Sequence, residues 1–346
     1  MNEMNTAAAA MQPPPEAQLL QIATGCFASA AVYIAAKLRI PDLLATGPKT
    51  VDELAAATDT DAESLYRVLR GLASVGITVE SAGRTFANTP MSETLRSDIP
   101  NSTRDLTIWM LEPAHWNVLG ELMYSVKTGK TAWDKVYGEP VFDSFTGSMK
   151  NLGDIFNRAM TSYSMQTIPA ILASYDFSDF GTIADIAGGY GHLLGAILKM
   201  NPSPKGVLFD LAPVLEGAPA MLESYGVRDR VEMVAGDFTA SVPVTADCYM
   251  LKHIIHDWYD DKCQTILGNI RLVMPDDAKV LIIDAIVPGL NEPHFSKFLD
   301  LEMLMLPGGK ERTAEEFGKL LSASGFKLTR EIPTPSPISI VEAVKA

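Results

Sequence analysis

A strand that ends in a glycine turn and passes directly into a helix constrains this chain more than any other stretch. The strand is read at Thr182–Ile186, the turn in Asp185-Ile186-Ala187-Gly188-Gly189-Tyr190-Gly191, and the helix at His192–Met200. Glycines let the backbone turn tightly and approach a ligand, and the helix start offers free N–H groups to a carboxylate or phosphate. Alone, the turn says only that some cofactor can sit there. Its context says more. Further strands are predicted at Gly206–Asp210, Val231–Ala235, Asp247–Lys252, Lys279–Ala285, Lys327–Glu331 and Ile338–Ala343. Helices fall between them, at Pro213–Tyr225, Asp260–Val273 and Thr313–Ser324. This alternation implies an α/β fold with a doubly wound, Rossmann-like, mainly parallel sheet, which binds ligands at the carboxyl ends of its strands.

The chain before this region reads differently. Thr50-Val51-Asp52-Glu53 matches a capping box that opens a helix over Val51–Thr58. A second helix is expected over Asp61–Val75, with Leu65, Val68, Leu69 and Leu72 on one face. Gly76 ends it, and Ile77–Glu80 and Thr85–Asn88 read as a hairpin. Helix, turn, helix and hairpin make a winged-helix pattern. From about Leu106 to Tyr175 the pattern is helical and rich in aromatic residues and Met, with some of these side chains expected to line a pocket. The expected divisions are a winged-helix domain over 16–105, connecting helices over 106–170 and the sheet domain over 171–346.

Composition narrows the function. The 346 residues carry a formal charge of −14, which argues against nucleic acid as a partner. The recognition-helix position of the winged helix offers only Arg67 and Arg70, beside Asp61 and Glu63, so packing and dimerisation are its expected use. Three cysteines, Cys26, Cys248 and Cys263, with no CxxC spacing favour a reducing compartment over a disulfide framework or a zinc site. The first residues lack the basic start and apolar core of a secretion signal, and Met1–Pro15 reads as a loose tail. The apolar run Cys26–Ala36, closed by Lys37 and Arg39, is too short to span a bilayer and reads as a buried amphipathic helix. A cytoplasmic protein with no membrane partner is expected.

Candidate chemical groups gather at the predicted strand ends. Asp210 closes the second strand, 25 residues after Asp185, where an acidic side chain can bind both ribose hydroxyls. Gly236-Asp237-Phe238 follows the next strand; Asp237 can accept from an adenine amino group and Phe238 can pack on the ring. The spacing does not fit the GxGxxG of NAD sites. Ala187 stands where a glycine is usual, which a Cβ tolerates if φ is negative. Leu251-Lys252-His253-Ile254-Ile255-His256-Asp257-Trp258 then places a histidine beyond a later strand. His253 and His256 are spaced as metal ligands could be, but no HExxH and no third ligand lies nearby, so no metal is expected. As a base, His256 needs a carboxylate to fix its tautomer. Asp284, at a strand end, and Glu311, in Gly308-Gly309-Lys310-Glu311-Arg312-Thr313, can converge on it.

These motifs resemble the class I S-adenosylmethionine-dependent small-molecule O-methyltransferases of the caffeate, hydroxyindole and bacterial phenazine or polyketide type. The resemblance covers nearly the whole chain. It implies a methyltransferase sheet behind an all-helical, winged-helix dimerisation domain, a homodimer, and methylation of a hydroxyl on a small aromatic acceptor in secondary metabolism. It implies cofactor contacts from Asp185, Gly188, Gly189, Asp210, Leu211, Gly236, Asp237, Phe238, Lys252 and Trp258. It implies His256 as general base flanked by Glu311 and Asp284, and an acceptor pocket touched by Trp109, Phe156, Met160 and Met303. Asp284 is shorter than the Glu common in plant members, which makes Glu311 the firmer partner of His256. Asp300–Pro307 is one residue shorter than in the plant lignin enzymes, so their substrates do not carry over. A relative turned to hydroxylation, decarboxylation or pericyclic chemistry with the same cofactor is the alternative.

Overall fold

The structure, a computed structural model, describes residues 13–346 and falls into two compact units, one ending at Glu112 and one running from Pro113 to Ala346. Most of the expected tail Met1–Pro15 lies outside the described residues, and Pro15 itself is the first residue of a helix.

That helix, Pro15–Lys37, is 23 residues long, and among its residues only Ala35 and Ala36 are buried. Leu19, Leu20, Ile22 and Phe27 are each more than 60% exposed. Within one chain, the expected burial of an amphipathic helix over Cys26–Ala36 is therefore not seen. Apolar residues sit on several sides of this helix, so one small domain cannot cover them all. By length and composition the helix could also cross a membrane.

Beyond it, the first unit follows its local signals. Thr50 caps Val51–Thr58, accepting from the Glu53 N–H at 3.3 Å while Glu53 accepts from the Thr50 N–H at 2.7 Å. Asp61 caps Ala62–Ser74, whose Leu65, Leu69 and Leu72 are buried. The unit is not all helical. Strands β2 (Thr78–Ser81) and β3 (Thr85–Asn88) form the expected hairpin, and β1 (Lys49–Thr50), too short to read from sequence, adds to β3 antiparallel.

The second unit is built on seven strands: β4 (Thr182–Ile186), β5 (Lys205–Asp210), β6 (Val231–Ala235), β7 (Cys248–Lys252), β8 (Lys279–Asp284), β9 (Phe326–Pro333) and β10 (Ser339–Lys345). Their order is β6-β5-β4-β7-β8-β10-β9, parallel except for β10, which runs antiparallel to both neighbours. Alternate residues of each strand point to opposite faces. Ala184, Phe209, Leu251 and Ile282 pack against helices Asp260–Val273 and Ala314–Ala323. Ile183, Leu208, Met250 and Ile283 pack against His192–Met200 and the end of the 25-residue helix Lys150–Ser174. The predicted helix Pro213–Tyr225 is broken into Ala212–Leu215 and Ala218–Ser224. At the break, Gly217 presses so close to Tyr190 that a Cβ would stand 2.7 Å from the ring. The carboxyl ends of β4, β5, β6, β7 and β8 lie along one edge; Asp185, Asp210, Lys252 and Asp284 stand in the last residues of their strands, and Gly188, Asp237 and His256 just beyond theirs.

An exposed, many-sided apolar helix marks a protein interface. Replacing Ile22 and Phe27 together with Asp should convert a dimer into monomers in light scattering at micromolar concentration; an unchanged dimer would place the interface elsewhere.

Candidate active site

The glycine turn leaves β4 through three left-handed residues: Ala187 at φ 56°, Gly189 at 62° and Gly191 at 81°. The expected negative φ at Ala187 is not what the fold uses. The chain must reverse immediately after the strand, where the Ala187 N–H donates to the Phe209 carbonyl at 2.7 Å, and holding a Cβ there costs roughly 1–2 kcal/mol. At Gly188 a Cβ would lie 2.6 Å from Asp185 and Leu208, whereas beside Gly189 there is open space. Asp210 ties the turn to β5, accepting from the Gly189 N–H at 2.8 Å and the Leu211 N–H at 2.7 Å. Burial pushes the Asp210 carboxyl up, against the pull of those two donors. Gly236 passes the Phe209 ring with no room for a side chain. Asp237 is exposed and accepts from the Thr239 N–H and hydroxyl at 2.7 Å each. Phe238 and Trp258 meet edge to face at 6.2 Å.

Asp185 is buried and Lys252 partly buried at neighbouring strand ends. Burial raises Asp185 to about 7 while Lys252 draws it down, and burial lowers Lys252 to about 8 while Asp185 draws it up. The Lys252 ammonium donates to Ser164 at 2.9 Å.

His256 sits in a single 3-10 turn, Ile255–Asp257, just past β7. Its Nδ1 lies 2.7 Å from Glu311 Oε1, which fixes the proton on Nδ1 and leaves Nε2 as the basic nitrogen. Asp257 Oδ1 is 3.6 Å from Nε2. Burial works against a charge on His256, but Asp284, Asp257 and Glu311 outweigh it and raise the imidazole to about 10. Burial in turn lifts Asp257 to about 7 and Asp284 to about 6, each pulled back by His256. Asp284 makes no hydrogen bond to His256; neither of its oxygens has a partner among the described residues. The third ligand that the sequence lacked is thus supplied by the fold, since His253, His256 and Asp284 bring polar atoms within 4.8 Å of one another.

The turn bearing His256 is held by the loop before helix Ala314–Ala323. Arg312, 1% exposed, donates to the carbonyls of Ile255 and Trp258 at 2.9 Å each and to Asp260 at 2.7 Å. The Lys310 N–H donates to the His256 carbonyl at 2.9 Å. Gly309 lies so close that a Cβ would stand 2.0 Å from that carbonyl. Asp300 accepts from the Glu311 N–H at 2.8 Å, and the Met303 carbonyl accepts from Gly308 and Gly309.

Helix Lys150–Ser174 borders the site. Phe156 packs on Phe145 and Phe142, Phe142 reaches Trp258, Tyr163 lies 5.0 Å from the His253 ring, and Ser164 meets Lys252. Met160 shares that helical face by its spacing from Phe156 and Tyr163. Met303 is buried, and its backbone shapes the Glu311 loop. Trp109 is buried in the N-terminal unit, and Leu211 is about half exposed beside Asp210. Sequence reasoning gave no role to Asp257, His253, Tyr163, Ser164, Asp300 or Arg312. His253, Asp257 and Arg312 stood inside the quoted motifs, with His253 weighed there only as a metal ligand, and Asp300 opened a quoted segment; Tyr163 and Ser164 carry no local signal.

An O-methyltransferase domain is matched over residues 116–327, and an O-methyltransferase dimerisation domain over 20–98. The chain belongs to the O-methyltransferase family. The phenazine O-methyltransferase PhzM of Lysobacter antibioticus is 42% identical over 99% of both chains. An 8-amino-8-demethylriboflavin N,N-dimethyltransferase of Streptomyces davaonensis is 36% identical over 90% of each. The crystal structure of LaPhzM superposes with a TM-score of 0.92, at 42% identity, covering 96% of this chain and all of that one. Solved neighbours carry S-adenosylmethionine or S-adenosylhomocysteine. This chain is accordingly an S-adenosylmethionine-dependent O-methyltransferase. The exposed apolar part of helix Pro15–Lys37 falls largely within the dimerisation match.

The residues present fit that cofactor. Gly188 packs tightly against Asp185 and Leu208, and the open space beside Gly189 leaves room for a ligand next to Asp210. Each Asp210 oxygen has a lone pair left for a ribose hydroxyl. Asp185 and Lys252 would offer opposite charges to the amino-acid end, and Phe238 with Trp258 an apolar corner to the adenine.

Asp210→Ala should weaken S-adenosylmethionine binding by about 1.5–3 kcal/mol, as for a lost hydrogen bond to a charged group; unchanged calorimetric affinity in a folded variant would reject the ribose assignment. Gly309→Ala should push the loop off the His256 turn and lower turnover by about a hundredfold, the scale of an ångström of misplacement, with cofactor affinity unchanged. Normal turnover in that variant would show that the close approach does not position the histidine.

Proposed function

We propose that this enzyme methylates a phenolic hydroxyl of a small, fused-ring aromatic acceptor, with His256 as general base. The observation that carries the reading is the 2.7 Å contact from Glu311 to His256 Nδ1, which places the proton on Nδ1 and leaves the Nε2 lone pair free to take one. Relatives named for a phenazine and for an aminoriboflavin support a planar, multi-ring acceptor. Phe142, Phe156 and Trp258 provide apolar walls for one.

The cofactor, when bound, supplies a methyl group already activated by a positively charged sulfur. The protein's own part is to hold the acceptor oxygen in line and to take its proton. A free phenol has a pKa near ~10. An ordinary imidazole, near ~6.5, lies well below that. Three carboxylates raise His256 to about 10, so the proton passes between groups of nearly equal affinity. Glu311 then stabilises the imidazolium that forms.

The sign of the pH dependence follows. The basic form of His256 grows as pH rises toward its raised pKa, so kcat/KM should climb through the alkaline range rather than level off near neutrality. Glu311→Gln removes a negative charge and lowers the imidazole's pKa, moving the rising limb to lower pH while reducing the plateau. His256→Ala should retain cofactor binding and lose about 10²–10⁴-fold in turnover, partly recovered at high pH on a phenol. Methyl transfer to a panel of hydroxyphenazines, hydroxyquinones and flavonoids, read by mass spectrometry, supplies the acceptor for these profiles. Near-normal turnover of His256→Ala at neutral pH would remove the histidine from the mechanism.

A further inference from the structure

Beside His256 lies a set of buried polar atoms that the transfer of one proton does not use. Neither ring nitrogen of His253, neither oxygen of Asp284, nor the Tyr163 hydroxyl has a hydrogen-bond partner among the described residues. Buried groups of this kind are normally satisfied, and leaving one unpaired is unfavourable. Here they are gathered: His253 Nδ1 is 3.7 Å from Asp284 Oδ1, the His253 and His256 rings are 5.1 Å apart, and Tyr163 lies 5.0 Å from His253. The His253 side chain is only 9% exposed and Asp284 is fully buried. His253 is held at φ 56°, an unfavourable conformation for this residue that aims it into the cluster instead of along the strand.

We propose that His253, Asp284 and Tyr163 form a second polar subsite, which receives a hydrogen-bonding group on the ring carbon next to the reacting hydroxyl. This rests on the reading of His256 as the site of proton transfer. Adjacency is what the geometry suits: polar atoms of His253, Asp284 and His256 lie within 4.8 Å of one another, close enough for groups on neighbouring ring carbons to meet both sets at once. The chemical class follows from the donors and acceptors. An ionised Asp284 only accepts, Tyr163 can donate, and a neutral His253 does one of each. A group that both donates and accepts suits them, so a vicinal hydroxyl or amine fits. A vicinal carboxylate would face Asp284 and be repelled.

The test is calorimetric binding to the full-length protein loaded with S-adenosylhomocysteine, with catechol, resorcinol and salicylate as probes. Catechol and resorcinol have the same atoms and differ only in adjacency. Catechol should bind tightest, by roughly tenfold over resorcinol, the scale of one satisfied hydrogen bond. Tyr163→Phe, which removes a single oxygen, and Asp284→Asn should each erode that preference. His256→Gln, which keeps a hydrogen-bonding group for the reacting hydroxyl but cannot act as base, should keep it, so loss of the base reading and loss of the subsite are separable results. Equal binding of catechol and resorcinol, including none detectable for either, overturns the proposal, since water alone would then fill the subsite. Tighter binding of salicylate overturns the assigned chemistry. Tight one-to-one binding of zinc sulfate alone, abolished by His253→Asn, would assign the unpaired atoms to a metal and likewise overturn it.

Discussion

Arg312 is the interaction on which the active site depends. Its guanidinium is buried, yet nearly all its hydrogen-bonding capacity is spent on two backbone carbonyls either side of His256 and on Asp260. A planar fork of donors can hold several acceptors in one fixed arrangement, which the single ammonium of a lysine cannot. By gripping Ile255 and Trp258 it holds the histidine's turn, and because the next residue back is Glu311, it sets the carboxylate against Nδ1 by the same act. Gly309 lets the two segments touch. His256 and Glu311, 55 residues apart in the chain, are thus locked together by one side chain and one absent Cβ.

Around that lock the electrostatics are crowded. Asp257, Asp284 and Glu311 converge on one imidazole in a buried space where isolated charges are unfavourable. The site resolves the conflict by sharing protons, with His256 raised and Asp257 and Asp284 lifted toward neutrality. A surplus of carboxylates also suits an enzyme whose cofactor is a cation.

Much of this was legible in the sequence, for a physical reason. Strand ends with glycines and acids are local patterns, and the seven strands of the sheet lie close to where periodicity placed them. The pairing of Glu311 with His256 was suggested by the resemblance. What escaped was whatever depends on distant segments meeting. Tyr163 and Ser164 look like ordinary helix residues until the fold lays them against His253 and Lys252. The left-handed Ala187 was misjudged because an alanine in that conformation is costly, and only the demand of the turn overrides it. The N-terminal helix was misjudged because apolar composition does not say whether the covering surface belongs to the same chain.

That last feature reaches beyond architecture. A helix that leaves Leu19, Leu20, Ile22 and Phe27 to solvent within one chain has part of its folding free energy deferred to association. By mass action, such a protein grows more resistant to unfolding as its concentration rises and less so on dilution. Its melting temperature is then a property of the solution as much as of the sequence. Assays run at nanomolar enzyme and stability measurements run at micromolar enzyme would sample different populations of the same molecule.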